Sequence, residues 1–175
     1  TVFFGGCALR GAFCQNYELS RAERGKPVTP KELAKIFQEL EDAGAENVNL
    51  VTPDHVSNLI AEALALRKPR VPVVYNSGGY AKTEALEEIA PYIDVWLPDL
   101  KFYSPALSKR YTGRADYFDY AGKAIAFMAQ KPMQFREDGK ILSGILVRHL
   151  VMPGCSSDSL KVLDFLKQTL PENVP

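Results

Sequence analysis

Cys7 and Cys14 are the residues of this chain best suited to hold a metal. They share one segment, Gly5-Gly6-Cys7-Ala8-Leu9-Arg10-Gly11-Ala12-Phe13-Cys14-Gln15-Asn16-Tyr17-Glu18, just after the apolar run Val2-Phe3-Phe4. Thiolates are soft, strong ligands, and the glycines leave the backbone free to wrap a centre. Gly11 stands between the two cysteines, so the segment itself offers two sulfurs. The third cysteine, Cys155, reads as a small buried hydrophobe. His55 and His149 are isolated, without a histidine–carboxylate spacing, and are expected to be hydrogen-bonded residues rather than ligands. Asp99 and Lys101 flank Leu100; such a pair matters only where a site holds it, because an exposed acid–base pair is a weak surface contact.

These residues need elements to position them. Thr29-Pro30-Lys31-Glu32 carries a helix start, with a threonine cap, a proline in the first turn and a glutamate placed to bond back. Leu33, Ile36, Phe37 and Leu40 follow at helical spacing, and Gly44 ends the run. Before it, the polar stretch Ser20 to Lys26 reads as a surface loop. Strands are expected at Asn47 to Val51, Val71 to Tyr75 and Val95 to Leu97, with helices over Val56 to Leu66, Thr83 to Ala90, Pro105 to Tyr111 and Tyr117 to Ala129. Glu137-Asp138-Gly139-Lys140 is a turn signal that suggests a hairpin or an insertion over Met133 to Leu142. A fifth strand, Ile145 to Val151, leads to a last helix capped near Ser156 or Ser157.

Strand and helix alternate five times, the pattern of parallel βαβ units with right-handed crossovers. A partial (β/α) barrel of about five units explains this best, and a doubly wound sheet is the alternative. In either, the site lies at the carboxyl ends of the strands. That rule gathers the cysteine segment, Thr52-Pro53-Asp54-His55, Asn76-Ser77-Gly78, Asp99 with Lys101, and Arg148-His149 on one rim. Asn76 and Ser77 either contact a ligand or satisfy their own turn, and Arg148 can hold a carboxylate by charge-assisted bonds. Tyr17 and Tyr75 are expected to pack at the rim.

The spacing of Cys7, position 11 and Cys14, with Phe13 before the last cysteine, resembles the three-cysteine motif of radical S-adenosylmethionine enzymes, here with glycine in the middle place. Gly6-Cys7-Ala8-Leu9-Arg10 and Phe13-Cys14-Gln15-Asn16-Tyr17-Glu18 resemble homologues of pyruvate formate-lyase activating enzyme, in the branch described as uncharacterised iron-sulfur activases. Asn47 to His55, Val74 to Tyr80, Leu97 to Lys101 and Val147 to Gly154 carry the likeness along the chain in order. The resemblance implies an α/β fold, the partial (β/α)6 TIM-like barrel of the radical SAM core, with residues 1–175 as that core and its last strand beyond Pro175. It also implies a [4Fe-4S] cluster, with Cys7 and Cys14 as metal ligands and S-adenosylmethionine bound at an open iron.

Further implications of the likeness are that Thr52, Asn76, Ser77, Asp99, Lys101 and Arg148 bind the cofactor. Thr52-Pro53-Asp54 takes the place of a Gly-Gly-Glu-Pro sequence at the methionine end, and Asp99-Leu100-Lys101 matches an acidic-X-lysine element whose lysine meets a carboxylate. The family's chemistry is reductive cleavage of S-adenosylmethionine followed by hydrogen abstraction. Its partners are a glycyl-radical protein substrate and an electron donor. No single residue is marked out by the sequence as catalytic.

Composition narrows the classes. Lys and Arg number 21, as do Asp and Glu, so no electrostatic footprint suggests nucleic acid or an anionic membrane surface. No apolar run reaches membrane-spanning length, and three cysteines, an odd number, fit a reducing compartment, so a cytoplasmic protein is expected. Two other readings stay open. One is a scaffold of the same fold that binds S-adenosylmethionine or a partner without turnover, which Gly11 supports. The other is a small barrel enzyme using Asp99 and Lys101 for acid–base or Schiff-base chemistry.

Overall fold

The computed structural model describes residues 1–21, 25–172 and 174. A six-stranded sheet forms its centre, in the order β1-β2-β3-β4-β6-β5. The parallel strands are β1 (Val2–Phe3), β2 (Val48–Val51), β3 (Val73–Ser77), β4 (Val95–Pro98) and β6 (Ile141–Ile145), while β5 (Gln134–Phe135) pairs antiparallel with β6. Chain order and spatial order agree along β1 to β4, with no reversal of the kind a doubly wound sheet requires. The architecture is therefore the open, singly wound α/β arrangement expected, with five parallel strands; the sixth is the expected hairpin's first arm.

Helices α1 (Tyr17–Arg21), α2 (Pro30–Asp42), α3 (Ser57–Leu66), α4 (Thr83–Ile89), α5 (Pro105–Thr112), α6 (Tyr117–Met128) and α7 (Ser156–Thr169) fill the connections. The sequence signal at α2 is realised in full: Thr29 Oγ1 accepts from the Glu32 amide, and the Glu32 carboxylate accepts from the Thr29 amide at 2.7 Å. Leu33, Ala34 and Phe37 then point into the core. Strand alternation divides the sheet into two faces. Val48, Leu50, Val73, Tyr75 and Trp96 are buried beneath the helices with Phe37, Ile60, Leu64, Leu86 and Ile125. Full burial of a large apolar side chain stabilises by about 1.5–3 kcal/mol, so this layer holds the fold. Asn49, Val74 and Leu97 line a groove of about 380 Å³ that also involves Leu142, Leu146 and Arg136.

Several boundaries differ from the sequence expectation. β3 runs two residues later than expected, because the register pairs Asn76 with Leu97 and Ser77 with Pro98. The last parallel strand begins at Ile141 rather than Ile145. Beyond Ile145 the chain continues alongside β4 through single bonds, Leu146 N–H to the Trp96 carbonyl and Arg148 N–H to that of Pro98, and Leu150 and Val151 lie exposed outside it. The cap of α7 lies one residue before Ser156, near where it was expected. Cys155 occupies the cap position without a side-chain bond, and the nearby Asp158 instead accepts from the amides of Tyr103 and Ser104. Of the loop expected over Ser20 to Lys26, Ser20 and Arg21 close α1, and residues 22–24 lie outside the described residues, as do residues 173 and 175 near the point where a further strand was expected.

Candidate functional site

The carboxyl ends of the parallel strands bring most of the singled-out residues together. Asp99 and Arg148 form a parallel bridge just past β4 and β6. Arg148 Nε donates to Asp99 Oδ1 at 2.9 Å, and its Nη2 donates to Asn76 Oδ1 at 2.7 Å at the end of β3. Lys101 Nζ donates to the other carboxylate oxygen, Asp99 Oδ2, at 2.5 Å. Two cations thus bracket one carboxylate. The Arg148 side chain is 45% exposed and that of Lys101 19%, so the pair spans from solvent to the interior of the rim.

The cysteine segment is strapped across this rim. Arg10 and Ala12 donate their amides to the carbonyls of Thr112 and Tyr111, at 2.9 and 2.8 Å, on the last turn of α5. Gly6 donates to Leu19, and Arg114 Nε reaches the Ala8 carbonyl. Phe13 packs edge-on to Phe102 at 6.0 Å between ring centres, and Lys101 Nζ lies 5.9 Å from the Phe13 ring. Backbone bonds to α5 therefore fix the loop beside Lys101, with Gly11 between the two strapped amides. Cys14 Sγ lies 3.5 Å from Ser20 Oγ, and the Leu9 amide donates to Cys7 Sγ at 3.4 Å. Burial pushes the Cys7 thiol up. The Leu9 amide and Lys101 pull the other way, while the charges of Asp54 and Cys14 add to the rise.

At the end of β2, Thr52 adopts a left-handed backbone, φ +59°, rare for a β-branched residue, while donating its amide to Asn76. Asp54 turns inward. Desolvation raises its carboxyl above the ordinary range, offset in part by the Ser77 hydroxyl, which donates to it at 2.7 Å, and by the Gly78 amide. Of the two alternatives open for Ser77, the structure shows bonding within its own turn. Its side chain is buried on the helix-facing side, its proton is given to Asp54, and it accepts from the Gly79 amide. Tyr75 likewise packs in the core rather than at the rim, edge-on to Trp96 at 5.2 Å, its hydroxyl near Asp54 yet without a hydrogen-bond partner. Tyr17 is exposed, beneath the Arg21 guanidinium.

Both histidines are held by hydrogen bonds, as expected. His55 Nε2 donates to the Gly5 carbonyl at 2.6 Å, tying the β2 loop to the cysteine segment. His149 Nδ1 donates to the Leu100 carbonyl, and its Nε2 accepts from Ser159. Cys155 is buried.

Sequence reasoning missed two residues. Arg114 holds the cysteine loop through Ala8. Tyr117 is fully buried and places its hydroxyl among the Gly78 and Asp99 carbonyls and the Lys101 amide. An aromatic at the start of a helix is the only sequence signal for Tyr117, and it does not distinguish this role from packing.

The donor set does not fit a [4Fe-4S] cluster held by three protein thiolates. Cys7 and Cys14 supply two, position 11 supplies no sulfur, and among the described residues no group of three or more Cys, His, Asp and Glu gathers into a ligand set. The backbone does not demand this glycine. Its φ is outside the left-handed region, and a Cβ there would make only ordinary contact with Cys14, 3.7 Å from its Cβ.

Comparisons with known proteins agree with the fold. An uncharacterized protein of Methanocaldococcus jannaschii, MJ0674, is 30% identical over 186 residues, covering 99% of this chain and 51% of the relative; the chain thus spans about half of that protein's length. Among solved structures, Streptococcus suis SuiB bound to the precursor peptide SuiA superposes with a TM-score of 0.68 at 15% identity, over 95% of this chain and 36% of SuiB. SuiB bound to S-adenosylmethionine gives 0.67 at 16% identity, over 95% and 37%. At such identity these two establish the shared fold. The sequence model of the Radical SAM superfamily matches residues 1–156, nearly the whole of the chain whose strand ends carry this rim, and the chain belongs to that superfamily.

Proposed function

We propose that this chain binds S-adenosylmethionine on the carboxyl rim of its sheet and presents it toward a peptide or protein partner. The observation that carries the proposal is the bracket of Asp99 by Lys101 and Arg148. Two cations against one carboxylate leave one positive charge in surplus, suited to the carboxylate of an amino-acid ligand through charge-assisted bonds. The Asn76 amide and the Thr52 turn supply polar groups beside it, at strand ends where ligands of α/β folds bind. Ser77 contributes by fixing Asp54. A SuiB structure with bound S-adenosylmethionine and another with bound precursor peptide share the fold, which supports this ligand and partner class. Residues 1–175 are the core domain in this reading.

Because two thiolates do not complete the cluster, the chain as it stands is a binding scaffold in this proposal. A second reading is favoured by the room at position 11. The loop keeps its straps to α5 and would accept a cysteine Cβ in ordinary contact, so it retains the form of a three-thiolate site. In that reading the protein is an activating enzyme of the pyruvate formate-lyase type, with a [4Fe-4S] cluster, an electron donor and a glycyl-radical protein as substrate. Titration calorimetry of S-adenosylmethionine into the purified chain tests the first proposal. Saturable binding that Lys101→Ala, which removes the surplus positive charge, strongly weakens supports it, and no heat from the native chain overturns it.

A further inference from the structure

Three backbone groups from two separate rim loops meet at one side-chain oxygen. The Tyr117 hydroxyl, at the first turn of α6, lies 2.9 Å from the Gly78 carbonyl and 2.8 Å from the Asp99 carbonyl, so its proton is shared between them. The same oxygen accepts the Lys101 amide at 3.0 Å. It therefore joins the loop after β3 to the loop after β4 and fixes the residues on both sides of Leu100. The phenol is fully buried, and desolvation raises it far above its ordinary range, which keeps it protonated and able to donate at any working pH. The packing around it has no slack. A Cβ at Gly79 would overlap the Asp99 carbonyl oxygen and stand 3.2 Å from the Tyr117 hydroxyl. The Tyr117 ring stacks on Tyr80 at 6.2 Å, and Tyr80 donates to Asp116, the residue before α6, which fixes the helix start from the outer side.

We infer that Tyr117 is a positioning residue for the amino-acid end of the ligand. It sets the backbone from which the Asp99 carboxylate and Lys101 ammonium project, and so sets the spacing of the charges that Arg148 completes. No other side-chain hydroxyl bonds both Asp99 and Lys101 backbone groups among the described residues. Tyr117→Phe removes the pin and keeps the ring. It leaves the Lys101 amide without its acceptor and the two carbonyls without their donor, at a site where a small displacement is felt by the ligand rather than by the core. This inference rests on the S-adenosylmethionine reading above, and it predicts a difference between two ligands.

The test compares S-adenosylmethionine with 5′-methylthioadenosine, which keeps the adenosine and sulfur and lacks the amino-acid end, on the native chain and on Tyr117→Phe. Backbone amide hydrogen exchange is followed on both proteins. The expected result is about tenfold weaker S-adenosylmethionine binding in the variant, the scale of one hydrogen bond's contribution. Methylthioadenosine affinity is expected to stay within about twofold. The Lys101 amide should be protected in the native chain and exchange freely in the variant, while the Leu50 and Tyr75 amides of the central strands keep their protection. Equal losses for both ligands, or no loss for either, overturn the positioning role. So does a Lys101 amide that already exchanges freely in the native chain, a measurement that needs no variant. A native chain that binds neither ligand overturns the ligand reading instead, and the exchange data then decide the pin by themselves.

Discussion

Asp99 and Arg148, 49 residues apart in sequence, face each other across the β4–β6 seam as a backbone bridge and a side-chain ion pair, with Nε to Oδ1 at 2.9 Å. The two contacts reinforce each other. Parallel pairing brings the Cα atoms level, and the guanidinium then spans from Asp99 to Asn76 on the next strand. Arg148→Ala should therefore weaken S-adenosylmethionine binding by about tenfold or more, while lowering stability by less than about 1 kcal/mol because the pair is half exposed. Lys35→Ala, which breaks the exposed Lys35–Glu39 pair of α2, serves as a surface control and should leave affinity unchanged. Calorimetry and urea unfolding on the two variants decide this, and equal affinities in both would remove Arg148 from the site.

Cys7 should alkylate more slowly than an ordinary free cysteine near neutral pH, because its raised pKa leaves less thiolate. Lys101→Gln removes a charge that favours the thiolate and should slow the reaction further, whereas Asp54→Asn removes an opposing charge and should speed it. Iodoacetamide labelling against pH, read by peptide mapping, gives the midpoint for each protein. Midpoints that fail to move apart in these directions would mean the charges do not act on Cys7 as the geometry implies.

These effects mark where the sequence was legible and where it was not. The α2 capping box was readable residue by residue, since Thr29 and Glu32 lie three positions apart and their bonds are local. Four of the five parallel strands followed from period and punctuation, whereas the fifth shares only Ile145 with the run expected for it, and the gathering of Asp99, Lys101, Asn76 and Arg148 followed from the strand-end rule. Tyr117 was invisible because its three bonds reach residues 39, 18 and 16 positions away, and only the folded sheet brings those loops to one helix start. The inward turn of Ser77 was lost for a related reason. Extending β3 to residue 77 decides which face each side chain takes, and that extension is set by pairing with Pro98.

Thr52 holds φ at +59°, a conformation that costs a β-branched residue on the order of 1 kcal/mol or more. Thr52→Gly should relieve it, raising unfolding stability by about 0.5–1 kcal/mol after the extra freedom of glycine in the unfolded chain is offset. Chemical denaturation measures the change. A loss of stability would show that the Thr52 side chain contributes more than its backbone costs.

Asp54 gives the stability curve a definite sign. Its carboxyl titrates above the unfolded value of about 3.9, so between those two points the native state binds more protons than the unfolded chain. Stability contributed by this group is greatest at low pH and declines as pH rises through that window. Asp54→Asn should remove the decline while retaining an acceptor for the Ser77 hydroxyl. Urea midpoints followed upward from about pH 4 should diverge for the native and variant chains, and parallel curves would contradict the account.

The central claim is that this chain keeps the ligand rim of a radical S-adenosylmethionine fold while lacking a complete set of cluster thiolates. Anaerobic reconstitution with iron and sulfide, read by visible absorption and electron paramagnetic resonance with and without S-adenosylmethionine, tests it on the native chain beside Gly11→Cys. The account predicts S-adenosylmethionine binding by both proteins, and a stable cluster whose resonance responds to S-adenosylmethionine only in Gly11→Cys. A stable, responsive cluster in the native chain would contradict it.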